Sequence, residues 1–369
     1  MIIGQVLQNL VTAYDRLGDK RTGSVVETAM CDWLAQELSD RGAGVQLQRY
    51  SIQHWREQLE VTVDGRAVDA ITVPFTGVGT ATVRRPQVRE LTLLGGMIPV
   101  DLDDALGEAI GELPVLSTAG PGGRLVAMNR PVAAPAGPPV VLVSANDAEA
   151  VREAGVVSCT TTVAVGESTN VVARLGPDDG RAPIVVVSPL SGWFRCAAER
   201  GCGLAITIEL ARRLAAERPV LVLAATGHEY EYAGADAFLA GLDTTPGAVV
   251  HVGASLAALN RDGQASALAP TRFAMFDGQG LPSPDETAEA IDAALAGAGL
   301  GRLDMPVWPG EGQAWRRFGV PVLSATGAFE RFHTPQDTGP LVTSPEALAQ
   351  VYGAIGVAVD VLIRSLPEI

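Results

Sequence analysis

At 369 residues the chain is too long for one small core, and it predicts two units or one large domain carrying an insertion. A formal charge of -15 argues against a nucleic-acid partner, and a single lysine, Lys20, with no G-x-x-x-x-G-K-[ST] loop, argues against imine and nucleotide chemistry. Residues are 47% hydrophobic, yet no apolar run approaches the roughly 20 residues of a membrane span, and MIIGQVLQNL lacks a basic secretory start; the expectation is a cytoplasmic protein with no membrane partner.

Val6, Leu7, Leu10, Val11, Tyr14 and Leu17 recur at helical spacing, as do Val25, Val26, Ala29, Met30, Trp33, Leu34 and Leu38, so two amphipathic helices open the chain. Ser24 and Glu27 predict a capping box for the second. Val45 to Tyr50 then reads as a strand. From about His54 to Glu167 the texture becomes short β-rich runs (LEVTVDG, AITVPF, TATVRR, LTLLGG) divided by Gly and Pro, which predicts a small inserted module, 54–167, within a larger domain, 1–53 and 168–369. Near the end of that module, a short helix should begin at Ser144 and stop at Gly155.

Ile184 to Glu231 forms the centre: a strand (IVVV), a loop (SPLSGWFRCAAERGCG), a helix (LAITIELARRLAAE), a strand (VLVLAA) and a polar knot (TGHEYEY). In such a βαβ unit both strand ends lie at one edge of a parallel sheet, so the loop after Val187 and the knot after Ala225 should face one crevice. A strand in AVVHV, a helix over Pro284 to Ala298 with a second capping box at Ser283 and Glu286, a buried strand in VPVLSATG and a closing helix over Pro345 to Leu366 complete the order. Cys31, Cys159, Cys196 and Cys202 lack Cys-x-x-Cys spacing and read mostly as reduced core thiols.

RTGS before a helix, NVVARL before IVVV, ERGCGLAITIELARRL, VLVLAATGHEYEYAGADAFL and FHTPQDT together resemble the co-catalytic zinc aminopeptidases, a family that includes glutaminyl cyclases and transferrin-receptor ectodomains. The resemblance spans nearly the whole chain. It implies an α/β fold, a three-layer α/β/α sandwich of the phosphorylase/hydrolase-like zinc-peptidase type, with a protease-associated-like β domain inserted at 54–167. It also implies where two zinc ions would be held, and here the residues depart. Ser188 and Leu190 stand where the family has His-x-Asp, Ala198 or Glu199 falls at the bridging Asp, His228 and Glu229 replace a Glu-Glu pair, and Gly253 lies near a later Asp. Glu229 and His333 match metal-ligand positions directly.

Three readings follow. One zinc on Glu229 and His333, with Glu199 as a third ligand, would support hydrolysis of an amide or related bond in a small amino-acid- or peptide-like substrate. Without metal, His228, Glu229, Glu199 and His333 would supply general acids and bases, or Cys196 a thiolate nucleophile beside His228. Without catalysis, the crevice would bind such a ligand, with Trp193 and Phe194 as apolar walls, Arg195 as a carboxylate fork, and Gln313 and Trp315 as weaker pocket candidates. Arg195 could instead pair with Glu199. Asp337 is expected to orient its loop through backbone amides and to position His333, while His54 and His251 read as structural.

Overall fold

The computed structural model describes residues 2–94, 98–99, 101–107, 111–262, 265–269 and 271–367; the glycines ending the run LTLLGG lie outside them. Seven strands carry the central sheet: β1 (Gly44–Val63), β2 (Gly155–Leu175), β3 (Ile184–Pro189), β4 (Val220–Ala225), β5 (Ala248–Val252), β6 (Thr271–Asp277) and β7 (Val322–Ala328). Their order is β6-β7-β5-β3-β4-β2-β1, with short strands added at both edges and at β2. The inner four, β7, β5, β3 and β4, are parallel; β6, β2 and β1 join antiparallel. The inner strands are continuous apolar runs because both of their faces are covered.

Strand alternation divides the core between the two faces. Ile184 and Val186 pack with α1 (Ile3–Arg16), α2 (Glu27–Ser39), α3 (Cys202–Leu214) and α6 (Pro345–Arg364), whereas Val185 and Val187 point to the other side, against α4 (Ala233–Ala240) and Trp315. The expected three-layer sandwich is therefore what these residues form. The last helix is long and apolar enough to span a membrane, with mean hydropathy 1.6, contrary to the reading of the bare sequence. Half of that stretch is buried, and Leu348, Val351, Ile355, Val359 and Leu362 pack in the core, as expected of a core helix.

Helix starts show which local signals prevail. Ser144 accepts from the amide of Asp147, and Ser344 from that of Ala347, as good caps do. The predicted box at Ser24 does not form. Glu27 instead accepts from Gly23 N, from Thr169 N and from Ser168 Oγ, and the helix begins after Val26, leaving Val25 97% exposed. Buried long-range donors outcompete the local amide. Ser283 likewise makes no side-chain cap.

β1 and β2 pair without a break from Gly44↔Arg174 to Val63↔Gly155, so one long ribbon runs from the central sheet into residues 54–167. A four-stranded sheet there (Ala70–Thr72, Val141–Ser144, Val115–Thr118, Val88–Leu91) has apolar clusters of its own. β3 lies between β4 and β5, so successive connections leave it in opposite directions, and the crevice at its C-terminal end is a topological switch point.

Candidate functional site

The loop after β3 runs across this crevice and enters α3 through a π-helical turn, Ala197–Gly201. Asp337 fixes that turn: its carboxylate accepts from Ala198 N at 2.8 Å and from Glu199 N at 2.9 Å. Burial and the neighbouring Glu199 raise its pKa to about 7. It thus orients the loop carrying Glu199 through backbone amides, in a segment other than its own.

Glu199 and Arg200, 0% and 1% exposed, form an ion pair, with an Arg200 terminal nitrogen 2.8 Å from Glu199 Oε1. Arg200 Nε donates to Ser191 O at 3.1 Å. His333, held at φ 56°, donates its backbone N–H to Glu199 Oε2 at 3.1 Å, and its Nε2 lies 3.3 Å from Glu199 Oε1. Burial alone would raise the Glu199 pKa, but Arg200 and His333 bring it down to about 2. Glu199 is therefore a fixed anion.

Beside this set stands a second. His228 Nδ1 lies 2.9 Å from Glu311 Oε1, and His251 Nε2 lies 3.4 Å from Glu311 Oε2, while His251 Nδ1 meets Ser324 Oγ at 2.6 Å. Burial would raise the Glu311 carboxyl, yet the two imidazoles hold it well below the usual range. His228 is pushed below 6.5 by burial and by the Arg200 charge, so at neutral pH it is an uncharged imidazole. With Nδ1–H donated to a carboxylate, Nε2 carries the free lone pair. A neutral imidazole so backed can accept a proton.

Glu229 belongs to a third set. Ser191 Oγ donates to its Oε2 at 2.7 Å, and the Thr22 amide donates to its Oε1. Thr22 Oγ1 in turn donates to Ser191 Oγ at 3.0 Å and accepts from Gly227 N at 2.7 Å, so the RTGS segment lines the crevice. Above these sets lie residues 125–130. Ala127 N donates to His333 O, His333 Nδ1 lies 3.1 Å from Ala127 O, and Arg130 N donates to Glu229 O.

These partners decide whether the expected zinc ligands fit an ion. Glu199 and His333 do meet, but Glu229 is engaged by Thr22 and Ser191, and a guanidinium stands against Glu199. Among the described residues no group of three or more His, Cys, Asp or Glu side chains is arranged to hold a metal. The donor set does not fit zinc. In the same region Glu199 Oε1, one Arg200 terminal nitrogen, His251 Nε2, Glu311 Oε2 and His333 Nε2 meet only ionic partners, while Ser188 Oγ and the other Arg200 terminal nitrogen are buried with no partner.

The other anticipated residues disperse. Cys196 is fully buried with its sulfur 3.4 Å from Tyr14 Oη, and burial pushes the thiol far above its ordinary value, so it is a packed thiol and not a nucleophile next to His228. Arg195 pairs bidentately with Asp15 at 3.0 Å and leaves Glu199 to Arg200. Trp193 donates to Asn129 Oδ1 and, with Phe194 against it, packs into a core with Leu125, Val126 and Met128. Trp315 is a core residue between Phe238 and Phe318, and Gln313 accepts from Trp308 N. Their apolar surface is spent on packing.

Sequence reasoning missed Arg200, Glu311, Ser191, Thr22 and the role of His251. Glu311 had a readable signal, an acid between two glycines. A Cβ on Gly310 would lie 2.8 Å from His251 Cε1 and one on Gly312 2.8 Å from Ser324 Oγ, so only glycines let this backbone approach.

No known protein-family profile matches the sequence, and no curated protein does. Solved structures do match the fold. A zinc aminopeptidase from Bacillus subtilis, BSAP, superposes with TM-score 0.69 at 13% identity, covering 96% of this chain and 94% of that one. A peptidase M28 precursor from Shewanella amazonensis SB2B gives 0.65 at 17% identity over 100% and 96%. An aminopeptidase from Aneurinibacillus sp. strain AM-1 gives 0.59 at 14% over 96% and 93%. The expected resemblance holds at the level of the fold: this chain has the zinc-aminopeptidase, M28-type fold.

Proposed function

We propose that the protein is a peptidase-like hydrolase acting in this crevice on an amide or related bond of a small amino-acid- or peptide-like substrate, with His228 as general base. The observation carrying this reading is the His228 imidazole, held 2.9 Å from the buried Glu311 carboxylate in a crevice where Ser188 Oγ and one Arg200 terminal nitrogen lack partners. Each such atom costs about 1–3 kcal/mol unless a polar guest satisfies it, which favours a polar substrate there. Nδ1–H donated to Glu311 orients the ring, Nε2 takes a proton from an attacking water, and the resulting imidazolium is stabilised by the carboxylate. The peptidase fold supports the bond type, as analogy.

The test is a panel of aminoacyl and N-acyl amides offered to the wild type, His228→Ala and Glu311→Gln. Turnover by the wild type should fall at least about 100-fold in His228→Ala, the usual worth of a general base. Because the His228 pKa is lowered, the rate should rise with pH through a value below 6.5 and stay level above it. Saturable calorimetric binding without turnover across the panel would overturn the hydrolase and favour the ligand-binding reading, which the locking of Glu199 by Arg200 supports.

A further inference from the structure

A buried arginine costs several kcal/mol of desolvation and persists only where charge and hydrogen bonds repay it. Arg200 is among the largest fully buried side chains of the protein. It contacts the Glu199 carboxylate at 2.8 Å, is tethered through Nε to Ser191 O, and passes so close under Gly192 that a Cβ there would lie 3.0 Å from Nε. Its charge lowers the Glu199 carboxyl and the His228 imidazole alike. Four acidic side chains, Glu199, Glu229, Glu311 and Asp337, are buried here. Such a concentration of carboxylates needs a permanent positive charge within it.

We infer that the Arg200 guanidinium is that charge: it compensates Glu199 as a resident metal ion otherwise would, so the crevice keeps its shape and this ionised carboxylate without binding zinc. Arginine suits this place better than lysine, since it stays protonated when buried and its fork can donate through Nε to Ser191 O while a terminal nitrogen meets Glu199. The inference concerns how the site is held together, and it stands whether or not the crevice turns a substrate over.

The experiment compares wild type, Arg200→Met, Glu199→Gln and the double variant by urea unfolding at pH 7, each in EDTA and in equimolar zinc chloride, with metal content measured by plasma mass spectrometry. Wild type should carry less than about 0.1 equivalent of zinc and show one midpoint in both solutions, because an ion that binds the native state must raise it. Arg200→Met strands an uncompensated carboxylate and should lower the midpoint strongly, and adding Glu199→Gln should restore about half of that loss or more. An Arg200→Met chain that fails to fold while the double variant folds is the same result in stronger form. A double variant no more stable than Arg200→Met overturns the inference, as does stoichiometric zinc that raises the wild-type midpoint.

Discussion

Replacing Glu311 tests the crevice from its other side. The carboxylate is fully buried, with His228 Nδ1 hydrogen-bonded at 2.9 Å and His251 Nε2 in contact at 3.4 Å. Glu311→Ala strands the buried His228 Nδ1–H, and losing a buried hydrogen bond to a charged group in this way costs about 1.5–3 kcal/mol. Glu311→Gln keeps one acceptor oxygen for His228 but exchanges a charged acceptor for a neutral one and turns an amide N–H₂ toward His251, so the cost should be about 1–2 kcal/mol. The sign with pH follows from the lowered carboxyl. A group more acidic folded than unfolded contributes stability that is complete above its ordinary value of 4.5 and drains away as pH falls toward the folded value. Urea melts of wild type and Glu311→Gln at pH 7 and pH 4 measure this gap, which should be wide at the first and narrower at the second. A Glu311→Gln protein within about 0.5 kcal/mol of wild type at pH 7, the range of an ordinary surface substitution, would refute the reasoning. So would a gap that widens on acidification.

Trp315→Ala should cost about 3–5 kcal/mol in a urea melt, since it empties a core site between Phe238 and Phe318; a change confined to ligand affinity, with stability intact, would restore Trp315 as a pocket wall. All four cysteines are buried and free, and burial raises their thiols, so iodoacetamide at pH 8 should label none in the native protein and all in urea; rapid native labelling of Cys196 would reopen the thiolate reading.

Much of the fold was legible because its signals are local or periodic. IVVV and VLVLAA read as doubly covered strands without reference to any partner, and Ser144 announces its helix by a bond three residues away. Expectations failed where a distant group outbid a near one. Glu27 left its capping box for Thr169, and Arg195 passed over Glu199 for Asp15, a carboxylate that also holds Thr338 Oγ1 and Gly339 N. Nothing in the spacing of Arg195 and Glu199 reveals Asp15. The run EGQAW drew attention to its amide and its indole, the residues that resemble binding groups, whereas the fold uses both for packing and brings Glu311 to the histidines.

The crevice also depends on a segment that composition assigns elsewhere. Trp193 leaves the β3 loop to pack with Leu125, Val126 and Met128, while Ala127 and Arg130 bond to the backbones of His333 and Glu229. Residues 125–130 thus brace both sides of the crevice, and their amides occupy carbonyls of the two histidine- and glutamate-bearing turns. Those turns need bracing: His333, Glu231 and Tyr232 all have positive φ, which for side-chain-bearing residues costs about 1–3 kcal/mol each and persists only where surrounding contacts impose it. Residues 125–130 are therefore a wall of the site. A reading that treats 54–167 as an appendage would predict that substitutions there spare the crevice, whereas the bonds from Ala127 and Arg130 require them to disturb His333 and Glu229 first.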